Sequence, residues 1–273
     1  MAEQSRLSIN QATTRPQWSL AEAIEGYAAA GIDGIGIWRD KLAELGTAEA
    51  ARMLRDHGMT VSGLCRGGMF PAADAAGRRR AIDENRRAVD EAAAIGAQCL
   101  VIVSGGLPEG SKDLAGAHAM VRDGLAELLP YARERGMPLA IEPLHPMYAA
   151  DRCCINTLGH ANDLCDELGE GVGVTVDVYH VWWDPELDRQ IARSGERIYA
   201  FHTCDWLAET RDLLTDRGMM GDGVIDILKI RGWVEAAGFH GYCEVEIMSE
   251  TDWWTRSAEE VVQTCITRHR SFV

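Results

Sequence analysis

The chain has 273 residues, 47% of them hydrophobic, so it can bury a large core as one α/β unit of barrel size, for which about 250 residues is typical. Its 42 acidic residues outnumber 27 basic ones and give a formal net charge of −15. A surface of that sign repels phosphate backbones and anionic lipid, which argues against nucleic acid or a membrane as the partner.

Residues Met1 to Arg6 show no apolar signal-peptide core, and no run of about 18 apolar residues suggests a membrane span. The eight cysteines have no C-x-x-C spacing, and several lie in apolar runs. They read as reduced core thiols of a cytoplasmic protein, with neither a disulfide framework nor a structural zinc site.

In chain order, Leu7–Asn10 reads as a first strand, followed by a helix over 19–30 with Ser19 as cap and Glu22 completing a capping box. Gly34–Trp38 is a second strand, and Thr47–His57 a helix closed by Gly58. Thr60–Leu64 is a third strand, then Arg78–Ile95 a long charged helix. Cys99–Val103 opens into Ser104-Gly-Gly, and Leu114–Arg135 is helical. Leu139–Glu142 is a fifth strand leading into Pro143-Leu-His-Pro-Met147, before a helix over Leu158–Leu168. Val172–Asp177 is the sixth strand, with Pro185 in the tolerated first turn of the helix that follows. Ile198–His202 is the seventh, a long loop holds Arg217–Gly223, and Asp226–Ala237 is helical. Tyr242–Ile247 is the eighth strand and Ala258–Arg270 the last helix.

Strict alternation implies a parallel sheet, and eight units in this length predict a single (β/α)8 TIM barrel over residues 1–273. The Gly-rich dinucleotide fingerprint is missing after the first strand, where Asn10-Gln-Ala-Thr-Thr14 stands instead.

Barrel chemistry sits at the C-terminal strand ends. Those ends carry Glu142, Asp177, His202 and Glu246. Period-two alternation puts Thr175 and Asp177 on one face of strand six, Ala200 and His202 on one face of strand seven, and Glu244 and Glu246 on one face of strand eight. Glu246, nearer the strand end, is preferred to Glu244, which reads as a deeper buried carboxylate. Three carboxylates converging on one mouth repel each other unless a cation neutralises them. Oxygen-rich ligation with one imidazole and no thiolate suits Mn²⁺, Mg²⁺ or Co²⁺, with Mn²⁺ favoured.

These residues in their local contexts, Ala-Ile-Glu142-Pro, Asp177-Val-Tyr-His180, Ala-Phe-His202, Gly221-Asp-Gly-Val-Ile-Asp226 and Val-Glu246-Ile, resemble the sugar phosphate isomerase/epimerase family of xylose-isomerase-like barrels. The resemblance implies one divalent metal held by Glu142, Asp177, His202 and Glu246. It also implies that Glu142 and Glu246 flank a keto-sugar and exchange the proton α to its carbonyl through an enediolate. The loop Glu142-Pro-Leu-His145-Pro and the stretch Asp177–Asp184 are similar to a branch that cleaves 3-oxo-glycosides, including the catalytic subunits of C-glycoside deglycosidases. In that branch His145 takes the proton, the aglycone leaves by elimination as in a lyase, and a small second subunit assists.

His180 is expected to touch substrate or support the metal ligands, and Arg217 to bind a hydroxyl or an anion. Trp38, Trp182, Trp183 and Trp206 all follow strands, so they gather near the mouth as packing or as a sugar-stacking wall, with Trp38 and Trp182 the substrate candidates. Trp253 and Trp254 join them or meet another subunit, and Asp205 and Asp222 are loop caps or functional groups. The partners expected are a small sugar or glycoside and a homo-oligomer or second subunit. Two competing readings are an endonuclease IV-type phosphodiesterase, which wants more histidine and a basic groove, and a catalytically silent sugar-binding subunit.

Overall fold

A computed structural model describes residues 7–273; the six before them, where the sequence shows no apolar leader, lie outside the described residues. Eight strands close into a barrel: β1 (Leu7–Asn10), β2 (Gly34–Trp38), β3 (Thr60–Gly68), β4 (Leu100–Val103), β5 (Leu139–Ile141), β6 (Val172–Asp177), β7 (Ile198–Thr203) and β8 (Cys243–Val245). Every pairing is parallel, and β8 returns to β1. Outside them lie α1 (Leu20–Ala29), α2 (Arg39–Leu45), α3 (Thr47–Asp56), α4 (Ala75–Ala94), α5 (Leu114–Glu134), α6 (Leu158–Leu168), the one-turn α7 (Val178–Val181), α8 (Leu187–Ser194), α9 (Ile227–Ala236) and α10 (Ala258–Phe272).

Strands and helices separate along this chain because the periodicities do. Leu100–Val103 and Val172–Val176 are apolar or small throughout, as strands buried on both faces must be. Most long helices start on a side chain that accepts a first-turn N–H: Ser19, Asp74, Asp113, Thr157, Asp226 and Ser257. Each such cap contributes about 1 kcal/mol. The main core lies between barrel and helices and includes Ile9, Ile35, Ile102, Ile141, Val174 and Phe201. A smaller apolar cluster of Cys65, Cys99, Val101, Ala140 and Ala200 forms beside it.

Three helices depart from the sequence reading. Helix α8 starts at Leu187 with Glu186 at its cap position, so Pro185 precedes the helix and does not stand in its first turn. Helix α2 follows Trp38 directly with no side-chain cap to announce it. Helix α7 begins at Val178, one residue after Asp177, whose carboxylate accepts the Tyr179 N–H. Strand β3 also runs four residues past Leu64, and its register against β4 shifts between Cys65 and Gly67, which leaves Arg66 at a bulge. Among the described residues no helix is long and apolar enough to cross a membrane.

Candidate active site

Asp177 ends β6 and pairs in register with His202 of β7, which pairs in turn with Glu244 of β8. Glu142 follows β5 immediately, its N–H donating to Ile102 O at 3.0 Å. Barrel closure thus brings together side chains that lie 60 positions apart, counting from Glu142 to His202. One ligand atom each from Glu142, Asp177 and His202 falls within 4.8 Å of the others, and all three residues are buried.

His202 Nδ1 lies 3.0 Å from Glu142 Oε1, yet the two are not aligned as a hydrogen bond, and neither ring nitrogen nor Glu142 Oε1 has a hydrogen-bond partner among the described residues. Buried polar atoms left in that state cost about 1–3 kcal/mol each. Donor atoms that face a common point instead of each other fit a divalent cation, and two carboxylates with one imidazole are ligands for one.

A second layer of polar residues lies behind the imidazole. Glu244 Oε1 lies 3.5 Å from His202 Nε2 and accepts from Asn10 Nδ2 at 2.6 Å, while Oε2 accepts from Ser62 Oγ. Ser62 is itself bonded to Ser8, Oγ to Oγ, at 2.7 Å. Gly36 makes room for this carboxylate: a Cβ there would lie 2.2 Å from Glu244 Oε1. A proton on Nε2 facing Glu244 leaves Nδ1, beside Glu142, free for a cation. Burial works to lower the His202 pKa, but Glu244, Glu142 and Glu246 outweigh it and raise it to about 10.

Glu246 stands outside the three-residue group. Its Oε2 accepts from Arg217 Nη1 at 3.1 Å, and the same nitrogen donates to Asp177 Oδ2 at 3.2 Å. Burial raises the pKa of Glu246 to about 7 and also raises that of Asp177, in both cases against the lowering influence of Arg217. Arg217, only 3% exposed, lies over the Tyr179 ring at 4.4 Å and places Nη2 3.2 Å from His180 Nε2. The other ring nitrogen of His180 faces the His145 N–H at 3.2 Å. A neutral imidazole accepts on one nitrogen only, so one contact is a hydrogen bond and the other a close approach. Burial and the neighbouring Arg217 push the His180 pKa well below its usual value, which keeps the ring neutral.

Glu142, His180, Arg217 and Glu246 line a cavity of about 280 Å³ together with Trp38 and Trp254, among others. Trp38 is held by its indole N–H on Asn10 Oδ1 at 2.9 Å, and Trp254 by its own on Ala12 O at 2.9 Å. Four expected site residues are not in that lining: Asp177 and His202, both fully buried behind it, and Trp182 and His145. Trp182 packs on Trp206 with ring centroids 5.8 Å apart, its buried Nε1 without a hydrogen-bond partner among the described residues. His145 stacks on the same Trp206 at 4.9 Å, and its Nδ1 accepts the Met147 N–H. Asp205 is a loop cap, accepting the N–H groups of Trp206, Gly221, Gly223 and Ile225, and Asp222 pairs with Arg268. The bracing residues Ser8, Asn10 and Ser62 are absent from the sequence reading, although polar side chains at inward positions of β1 and β3 were the available signal.

The comparisons with known proteins agree with this geometry. Residues 24–265 match the family described as xylose isomerase-like TIM barrel, from within α1 to within α10. The Sinorhizobium meliloti 1021 protein SMc04130 is 60% identical with a TM-score of 0.97, over 98% of each chain. The IolI protein, crystallised with a bound zinc atom, is 24% identical with a TM-score of 0.86, again over 98% of each chain. A 3-keto-D-glucoside 4-epimerase of E. coli, YcjR, is 18% identical with a TM-score of 0.77, over 98% of this chain and 100% of that one. With its closed barrel and a family match that spans seven of the eight strands, the chain belongs to the xylose isomerase-like TIM barrel family.

Proposed function

We propose that the protein is a divalent-metal-dependent isomerase or epimerase of a keto-sugar, moving the proton α to the carbonyl. The observation that carries this reading is that two carboxylates, Glu142 and Glu246, line one cavity, and that Glu142 also belongs to the buried Glu142–Asp177–His202 donor group.

Glu142, Asp177 and His202 Nδ1 are the proposed metal ligands, with Glu246 as a fourth once it leaves Arg217. Mn²⁺ suits the oxygen-rich set, and the zinc of the IolI protein makes Zn²⁺ the comparison ion. Such an ion supplies Lewis-acid stabilisation of negative charge on the carbonyl and neighbouring hydroxyl oxygens. The chain's own groups do the rest. Glu246, a carboxylate lining the cavity, is the group placed to take and return the proton. Glu142 on the same cavity is the second proton-transfer group. Arg217 holds Glu246 and Asp177 in place, neutral His180 lies between Arg217 and the His145 N–H, and Trp38 and Trp254 wall the cavity.

One fold neighbour is a 3-keto-D-glucoside 4-epimerase, an activity of the class proposed; at that identity the likeness speaks to fold, so the reading rests on this chain's residues. Elimination with His145 as base is the less supported alternative, since that ring is stacked on Trp206 and does not line the cavity. The test is α-proton exchange: Mn²⁺-loaded protein is expected to exchange the α-hydrogen of a keto-sugar with solvent deuterium. A protein that binds metal stoichiometrically but exchanges no α-hydrogen on any free, phosphorylated or 3-oxo sugar contradicts the proposal.

A further inference from the structure

The charges around the mouth run opposite to those of the whole molecule. Acids outnumber bases 42 to 27 along the chain, yet the cavity is lined by four arginines (Arg15, Arg66, Arg152 and Arg217) and two glutamates. Both glutamates are already assigned to proton transfer and metal binding. The arginines differ in how they are occupied. Arg217 is committed to Asp177 and Glu246. Arg15 pairs with Asp40 and lies over the Trp38 ring at 5.6 Å, and Arg152 pairs with Asp151 at 3.6 Å. Arg66 has neither a hydrogen-bond nor an ion-pair partner among the described residues, although it is half-buried.

Its position is also specified. A second cavity of about 400 Å³ adjoins the first as a second lobe of the mouth, sharing Arg66, Arg15 and Trp38 in its lining. In that lobe Arg39 is neutralised by Glu84 and Glu91, and Arg15 by Asp40, which leaves Arg66 as the lining cation without an acceptor among the described residues. The β3–β4 register shift falls at Arg66 itself, and a bulge beside a site is a common device for aiming a side chain. An arginine fork suits a carboxylate or phosphate, which it can meet with two parallel hydrogen bonds.

We infer that the second lobe seats an anionic group of the substrate, a carboxylate or a phosphate remote from the reacting carbonyl, with Arg66 as its principal partner and Arg15 beside it. The substrate class then narrows from keto-sugars in general to keto-sugar acids or keto-sugar phosphates. This rests on the isomerase reading for the word substrate, but the anion seat can be tested without it.

The first arm uses metal-free protein titrated with methyl phosphate, with acetate and with methanol as a neutral control, followed by NMR of the arginine side chains. Saturable binding of one of the anions, weakened about tenfold or more in Arg66→Gln, is expected. Arg66→Lys serves as a second variant should the first fold poorly, and is expected to retain part of the binding. Binding of neither anion, or binding indifferent to both substitutions, overturns the inference.

The second arm uses Mn²⁺-loaded protein and compares kcat/KM for α-hydrogen exchange on D-fructose, D-fructose 6-phosphate and 5-keto-D-gluconate. A preference of about tenfold or more for one anionic sugar, collapsing in Arg66→Gln, is expected, and the sugar preferred tells phosphate from carboxylate. Equal rates on all three overturn the inference while the isomerase reading stands. No exchange on any sugar, with anion binding still dependent on Arg66, sinks the isomerase reading and leaves the anion seat standing.

Discussion

Arg217 Nη1 lies 3.1 Å from Glu246 Oε2, the carboxylate that stands outside the three-residue donor group on the neighbouring strands. The guanidinium also reaches Asp177 at 3.2 Å, so one buried cation serves two buried carboxylates. Removing one member of such a group leaves charge uncompensated, at a cost of about 3–5 kcal/mol. Arg217→Met is therefore expected to destabilise the metal-free protein by roughly that amount, and added Mn²⁺ should recover part of the loss because the ion takes over the neutralisation. Urea denaturation of wild type and variant, with and without the metal, reads both effects. Equal stability of the two metal-free proteins would remove the counter-charge role.

Glu244 gives a second prediction. It is buried, is held by Asn10 and Ser62, and faces His202 Nε2, so its effect on the metal passes through the imidazole. Glu244→Gln is expected to weaken Mn²⁺ affinity by about 10- to 100-fold with the fold retained. Competition titration with a chelating dye measures it, and unchanged affinity would mean that the imidazole is oriented without Glu244.

The pH dependence has a definite sign. Glu246 is raised from 4.5 to about 7 and His202 from 6.5 to about 10 in the metal-free fold. Both groups bind protons more tightly folded than unfolded, so the stability they contribute is complete below the unfolded values and is lost as pH rises through the folded ones. Metal binding must displace those protons, which makes it stronger as pH rises. The increase in Tm on adding Mn²⁺ is thus expected to grow between about pH 6 and pH 8. A gain that is flat or shrinks over that interval would contradict the protonation states assigned here.

His145 separates the two proton-transfer schemes. Stacked on Trp206 and outside the cavity lining, it is expected to be dispensable for proton transfer. His145→Ala should keep α-hydrogen exchange within about tenfold of wild type, short of the 10²- to 10⁴-fold that loss of a general base costs. A loss in that larger range, with metal content unchanged, would instead favour elimination with His145 as the base.

The barrel, and the strand ends that bring Glu142, Asp177 and His202 together, are legible because they follow from local periodicity. Alternating strand and helix signals specify the eightfold topology, and the period of two puts Asp177 and His202 on inward faces at strand ends. The Ser19–Glu22 capping box is present as read. Helix α7 was hidden because Val-Tyr-His-Val is a β-prone run, and only the Asp177 cap turns it into a helical turn. The contact between Glu246 and Arg217 depends on how the long loop after β7 folds back, which Asp205 arranges by accepting four backbone N–H groups. No spacing in the sequence encodes that. Arg66 went unremarked for a related reason: strand β3 was read as ending at Leu64, and the bulge that turns Arg66 toward the mouth arises from pairing with β4.

The central claim is that Glu246 transfers a proton at a carbon beside a carbonyl, next to a metal held by Glu142, Asp177 and His202. Solvent-deuterium exchange into a keto-sugar by Mn²⁺-loaded wild type and Glu246→Gln, with metal content measured on the same samples, tests it most directly. The account predicts exchange in the wild type and a loss of about 10²- to 10⁴-fold in the variant, with metal still bound through the other three residues. Wild-type exchange rates in a metal-loaded Glu246→Gln protein would contradict it.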